Sequence, residues 1–472
     1  MKEMNNINLE KLQENKQKII KQSVGLDYNN YELDGIGFDY ETMMNDSGLT
    51  LQDVKNIQNA SMVGNTPIIE LKNITNYARK FSKKGYGARI FLKDEASNLS
   101  GSFKARRAAI SVHKAKEMGY KGVIAATSGN YGAAVAALAA KQGLKCIIIQ
   151  ECFDSSNVAQ PEILEKARAC EAYGAEVIQL SVGPELFYAF LSLLDETGYF
   201  NASLYSPYGV MGIETLGQEI AESIKEQEGK FPETVICTNA GGGNLTGTAR
   251  GLKKSGANHT KIIGASVNLE GLHMASDDDF NRKSFTTGHT GFGIPFAVNP
   301  DRSDVPRSAA RPLRYIDEYY TVNQGSVFFI TEALTVLEGL ERGPAGNTSL
   351  AVAFKLAQTM KADEIIVVQE SEYTGAGKHH QPQLSFAKNN GIDLKFGNTL
   401  EEIPGKNIIF PSSGKDLDIR KVSLDKIKKS YLKKYIKTAL SDLDYDFLKA
   451  ELRLDKDKVN RLLEEAKDEG KK

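Results

Sequence analysis

No apolar stretch in this chain approaches the roughly 20 residues that span a bilayer. The longest, Ala133–Ala140, makes only about two helical turns, so no membrane partner is expected. Met1–Gln22 mixes Lys, Glu and Asn without an apolar segment, which argues against a secretory signal. Arginine is missing until Arg79, and the acids before it count against a transit peptide. Cysteine is scarce: Cys146, Cys152, Cys170 and Cys237 form no C-x-x-C pair and no disulfide framework. No H-E-x-x-H or Cys/His spacing suggests zinc, and His379 and His380, being adjacent, point in different directions on most backbones. A G-x-S-x-G nucleophile elbow is also missing. Net charge is −1 over 472 residues, too little to draw the chain towards nucleic acid. What survives these exclusions is a cytoplasmic, metal-free protein of a reducing compartment.

What is present is ordinary in amount and regular in pattern. At 41% hydrophobic and 25% charged residues, the chain suits two or three globular domains. Residues 1–60 are polar and helix-prone and read as an arm laid over a body. From Ser61 short apolar runs alternate with helical periods: strands at Ala88–Lys93, Gly122–Ala126, Leu144–Gln150, Glu176–Leu180, Thr234–Thr238, Lys261–Val267 and Glu364–Gln369, with helices between them. Strands apolar on both faces predict parallel sheets covered by helices, an α/β fold. Phe280–Arg311 breaks the rhythm as a long Gly, Pro, Asp and Arg-rich loop. From about Ser412 the chain is strongly charged, with Leu424, Ile427, Tyr431, Tyr435 and Ala439 at helical spacing, and it reads as a helical appendage over 411–472.

Lys104, in Leu99–Ser100–Gly101–Ser102–Phe103–Lys104–Ala105–Arg106, falls where a strand gives way to a helix. The positive end of the helix dipole disfavours a charged amine there and favours a nucleophilic one. A solvated surface lysine is the plain alternative. Three further segments follow predicted strands, at the edge where open α/β sheets bind ligands. Thr127–Ser128–Gly129–Asn130–Tyr131–Gly132 could seat a carboxylate or phosphate on helix-start amides, or be an ordinary N-cap. Thr238–Asn239–Ala240–Gly241–Gly242–Gly243–Asn244 could wrap a phosphate with bare amides, or be a flexible turn. Gln369–Glu370–Ser371–Glu372–Tyr373 could offer a hydroxyl or carboxylate to a ring nitrogen, or be a surface loop. Cys237, at a strand end, reads as a buried cysteine.

The order G-N-T-P (64–67), K-D-E-x-x-x-x-S-G-S-F-K (93–104), T-S-G-N-x-G (127–132), A-G-G-G-N (240–244) resembles the fold-type II pyridoxal-phosphate enzymes, from about Gly64 to Gln369. That resemblance implies two open parallel-sheet domains of the tryptophan synthase beta-like architecture, with a smaller α/β domain at about 122–205 nested in a catalytic region spanning 61–410. It implies pyridoxal 5'-phosphate as cofactor, with Lys104 as the Schiff-base lysine. Asn130 would contact the ring's phenolic oxygen, and Gly241, Gly242, Gly243 and Asn244 would hold the phosphate. Thr127, Ser128, Gly129 and Tyr131 would take the substrate carboxylate, and Ser371 the pyridine nitrogen. Two features depart from the pattern: Asn98–Leu99 precede Ser100 where relatives often have proline, and the Glu370–Ser371–Glu372 segment is unfamiliar.

Within the superfamily, the polar arm, the G-S-F-K-A-R-R stretch and the charged tail are most similar to the larger, beta subunits of the 2-amino-4-ketopentanoate thiolase family. This implies coenzyme A-dependent cleavage of 2-amino-4-oxopentanoate to acetyl-CoA and alanine in ornithine breakdown. It also implies a small alpha subunit as partner and a homo-oligomer of this chain. Arg282, Arg302 or Arg307 would then meet coenzyme A phosphates. The motifs equally fit β-replacement or β-elimination enzymes such as threonine synthase or diaminopropionate ammonia-lyase. A non-catalytic, cofactor-binding regulatory subunit is the reading from another class.

Overall fold

The computed structural model describes residues 9–127, 129–153, 161–181, 185–268, 304–373, 381–403 and 406–469. Its strands, in chain order, are β1 (Ile68–Glu70), β2 (Arg89–Asp94), β3 (Gly122–Ala126), β4 (Lys145–Phe153), β5 (Glu176–Ser181), β6 (Phe200–Asn201) and β7 (Thr234–Thr238). They continue with β8 (Lys261–Val267), β9 (Glu318–Val322), β10 (Ile365–Glu370), β11 (Asp393–Phe396), β12 (Asn407–Phe410) and β13 (Ile419–Val422). Seven form one sheet in the order β1-β2-β10-β7-β8-β9-β13, and four form a second in the order β5-β4-β3-β6. The smaller sheet is parallel throughout, whereas the larger has antiparallel strands only at its two edges.

Alternation along the central strands explains how both faces of the larger sheet are covered. Ile365 and Val367 of β10 pack with Val235 and Cys237 of β7 against the helices Glu214–Glu228 and Gly243–Lys254. Ile366 and Val368 pack on the opposite side with Ile236, under the helices Gln324–Glu338 and Pro344–Ala357. Strands buried on both faces read as continuous apolar runs, so these were the elements most legible in the sequence.

The termini are more firmly built in than an arm and an appendage. Tyr28, Tyr31, Phe38 and Tyr40 are buried in the core of the smaller sheet. Ile427, Tyr431, Leu432, Leu448, Leu452, Val459 and Leu462 complete the core beneath the larger one. The tail also contributes β13, which pairs with β9 at the sheet edge. Its sequence, Ile-Arg-Lys-Val, puts two exposed cations at the centre of an edge strand, a pattern that hides it among charged helices. The helix Leu424–Leu432 and the turn Lys433–Tyr435 end before Ala439, which therefore lies outside the helical register.

Candidate active site

The strand-to-helix connection that carries Lys104 is fixed by a buried ion network. Arg106, fully buried, donates from Nε to Glu95 (2.7 Å) and from Nη1 and Nη2 to Glu219 (2.8 and 2.7 Å). Lys93 donates to Glu219 (2.6 Å) and to the Thr66 carbonyl (2.6 Å). Burial would raise the Glu219 carboxyl, but Arg106 and Lys93 outweigh it and hold it at about 2. The G-N-T-P turn wraps this cluster: Gly64 N–H donates to Asn98, Asn65 N–H to Glu219, and Thr66 Oγ1 to Glu95. Two cations and two carboxylates thus cancel in the interior, as buried charges require. The resulting register starts the helix Lys104–Glu117 with Lys104 in its first turn and half-buried. Ser100, a non-glycine residue at φ +63°, turns the chain into it.

The exit of β10 pins this loop from the other side. Phe103 N–H donates to the Ser371 carbonyl (3.0 Å), and Tyr373 N–H donates to the Gly101 carbonyl (2.7 Å). Ser371 itself is buried. Asn130 begins the helix Asn130–Gln142 and donates to Glu372 (3.0 Å), while its Oδ1 has no partner among the described residues. Burial raises the Glu372 carboxyl against the charges of Lys166 and Lys104 and the Asn130 hydrogen bond. Thr127 and Gly129 precede Asn130, with Gly129 N–H donating to Thr127 Oγ1 (3.3 Å). A side chain added at Gly129 would meet nothing within 4 Å. The Tyr131 ring is buried in the core, and its amide is one of the first-turn N–H groups that a helix leaves without an intrahelical partner.

The glycine run forms the third wall. Gly242, at φ +80°, leads into the helix Gly243–Lys254. The loop's back is sealed: a Cβ would fall 1.8 Å from Tyr205 Oη at Gly241, 2.4 Å from Pro312 at Gly242, and 2.1 Å from Arg107 Nη2 at Gly243. Only glycine leaves the backbone this close to its supports. Arg107 is buried and no carboxylate among the described residues pairs with it; Nη1 donates to the Leu204 carbonyl, and Nε has no partner. Asn244 donates to Gln369 (2.7 Å), tying the loop to β10, and its Oδ1 has no partner among the described residues. Behind the loop, Thr246 Oγ1 donates to the Gly242 carbonyl and accepts from Arg311 N–H. Arg311 in turn donates to Tyr40 (2.6 Å) and Tyr431 (3.1 Å) and pairs with Glu451.

These three walls meet at one sheet edge, because β10 lies between β2 and β7. The β2 end feeds Lys104, and the β7 end feeds the glycine loop. The family model described as pyridoxal-phosphate dependent enzyme matches residues 60–371. Over 454 residues the chain is 63% identical to the 2-amino-4-ketopentanoate thiolase beta subunit of Acetoanaerobium sticklandii, covering 95% of this chain and 97% of that one. The chain belongs to the pyridoxal-phosphate dependent enzymes, in the line of these beta subunits. A second protein of that description, from an unknown prokaryotic organism, is 58% identical over 94% of this chain and 95% of its own length. Among solved structures, the serine racemase of Dictyostelium discoideum covers 69% of this chain and 98% of its own, with TM-score 0.51 and 19% identity, a likeness of fold.

The edge suits the family's cofactor. Buried polar atoms without partners are costly, about 1–3 kcal/mol each, and the three walls carry several of them: Asn130 Oδ1, Asn244 Oδ1, Ser100 Oγ, Ser102 Oγ and Arg107 Nε. A sealed glycine loop, a helix start and a buried guanidinium facing no carboxylate fit a phosphate. Ser128, Arg282 and Arg302 lie outside the described residues. Arg307 is committed to Glu32 (2.9 Å) and to the Phe38 ring. Cys237 is buried, and desolvation pushes its thiol up to about 12. Sequence reasoning passed over Arg107, and it named the Glu370–Ser371–Glu372 segment without separating its carboxyls from its hydroxyl. The paired arginines after Lys104 and the acids flanking Ser371 were the available signals.

Proposed function

We propose that this chain is the cofactor-bearing subunit of a two-subunit thiolase. In this reading it uses coenzyme A to cleave 2-amino-4-oxopentanoate to acetyl-CoA and alanine, in ornithine degradation. The observation that carries the reading is 63% identity across nearly the whole of both chains to a protein named 2-amino-4-ketopentanoate thiolase beta subunit. Lys104, Asn130 and Gly241–Asn244 hold the cofactor, and Thr127, Ser128, Gly129 and the Tyr131 amide receive the substrate carboxylate. When bound, pyridoxal phosphate supplies an electron sink for the pair left on carbon when a bond near the amino group breaks.

The chain's own residues do the rest. The thiol of coenzyme A adds to the C4 carbonyl and the C3–C4 bond breaks, so acetyl goes to sulfur and the electron pair goes to C3. Lys104 Nζ, close to the substrate's amino-bearing carbon, moves protons at Cα and C3. The thiol's proton is replaced on C3, and alanine leaves. The nucleophilic sulfur comes from the cosubstrate, so the buried Cys237 has no part to play. The small second subunit joins a homo-oligomer of this chain. Co-expression with candidate small subunits, followed by an assay for acetyl-CoA from 2-amino-4-oxopentanoate and coenzyme A, tests the reading. Release of ammonia or phosphate from amino-acid substrates, without acetyl-CoA, would overturn it.

A further inference from the structure

Glu370 ends β10, the strand lying between the β2 end that feeds Lys104 and the β7 end that feeds the glycine loop. It pairs in register with Asp94 of β2. It is 1% exposed, and neither carboxyl oxygen makes a well-formed hydrogen bond among the described residues, the Glu372 N–H being the one donor near enough to act on it. A buried carboxyl so poorly satisfied is among the costliest groups a fold can carry. Of its acidic neighbours, Asp94 is held by Arg342 through two bonds of 2.8 and 2.5 Å, and Glu372 is tied through Oε2 to Asn130, across the site from the strand, with its Oε1 unpartnered among the described residues. Space for Glu370 is kept by Gly346, in the first turn of the helix Pro344–Ala357, where a Cβ would fall 1.8 Å from Oε1. That helix start offers positive partial charge to an anion beside it.

We propose that the Glu370 carboxyl is the partner of the cofactor's ring nitrogen and keeps that nitrogen protonated. The proposal rests on the reading that Lys104 and the glycine loop hold pyridoxal phosphate. A ring whose reactive arm is fixed at one neighbouring strand end and whose phosphate is fixed at the other must lie over the strand between them. The proton balance is simple. Burial beside Glu372 and Asp94 pushes the carboxyl well above its ordinary range and so favours its protonated form. It then passes its proton to the incoming pyridine nitrogen, leaving a carboxylate–pyridinium pair supported by Arg342 and the helix start. A hydroxyl such as that of Ser371 is too weak an acid to do this, and Ser371 is used through its carbonyl to pin Phe103. A protonated ring is the stronger electron sink, which suits cleavage of a carbon–carbon bond.

The test uses the full chain loaded with pyridoxal phosphate carrying 15N in the ring, read by NMR. The ring-nitrogen resonance is expected at the protonated position in the natural protein, and to stay there above the pH at which the free cofactor's ring loses its proton. Glu370→Gln should move it to the neutral position, and Ser371→Ala should leave it protonated. A neutral resonance in the natural protein overturns the proposal without any variant. Retention of the protonated signal in Glu370→Gln, or its loss in Ser371→Ala alone, does the same. Borohydride reduction and peptide mapping of the same sample separate the two readings. Label on Lys104 with a neutral ring removes only the role of Glu370, whereas label elsewhere removes the site beneath it.

Discussion

Lys104 is the residue on which the proposed site depends, and its replacement is the sharpest chemical test. Lys104→Ala should lose borohydride-fixed cofactor and lower turnover by about 10³-fold or more, on the scale of removing a positioned nucleophile or proton carrier. A variant that still fixes cofactor covalently would place the lysine elsewhere. Gly243 offers a test by addition. Gly243→Ala puts a methyl against Arg107, where overpacking costs about 1–3 kcal/mol. The expected outcome is weaker retention of pyridoxal phosphate in equilibrium dialysis, with little change in secondary structure by circular dichroism. Ordinary affinity in this variant would mean that the loop does not meet the phosphate.

The element that fixes the lysine is the β2-to-helix connection, and its strength lies in the buried network rather than in local propensity. Arg106→Leu leaves Glu95 and Glu219 facing each other in the interior. Removing one member of such a network costs about 3–5 kcal/mol, measurable as a lower urea midpoint. The pH dependence has a definite direction. Glu219 is held at about 2 in the folded chain against an ordinary 4.5. The stability it adds is therefore complete above about 4.5 and is lost as the pH falls through about 2. Urea midpoints between pH 6 and pH 3 should fall in the natural protein and flatten in Glu219→Gln.

The same connection shows what a sequence reveals and what it hides. Lys104, the central strands and the glycine run were legible because each depends on local chemistry: a periodicity, a helix start, bare amides. The role of G-N-T-P was not, since Thr66 and Glu95 are brought together by Arg106 of a later element. Glu370 and Ser371 could not be told apart without knowing how each is buried and what the surrounding fold leaves for it to bond. Strand β9 follows a stretch of sequence without periodicity, and β13 is too charged, for either to stand out.

At the scale of the whole molecule, the two ends of the chain meet behind the glycine loop. Asp444 of the tail accepts from Ile36 N–H of the arm, and Arg311 joins Tyr40 of the arm to Tyr431 and Glu451 of the tail. Arg311→Met should lower the melting temperature and weaken cofactor retention together, because Arg311 N–H donates to Thr246 Oγ1, which holds the Gly242 carbonyl. A stability loss with unchanged cofactor affinity would show that the Thr246–Gly242 link does not carry the effect. Among the described residues no helix is long and apolar enough to cross a membrane, and the tail's apolar stripe is spent on the core.

That meeting point constrains how such chains can diverge. The arm and the tail are read jointly by one guanidinium, so neither can drift or be exchanged alone without loosening the floor of the cradle. A chimera taking only one terminus from a relative should fold poorly, while one taking both, with the Arg311–Pro312 segment between them, should keep its grip on the cofactor. The ends of the chain thus act structurally as a single module, although Tyr40 and Arg311 stand 271 residues apart in sequence.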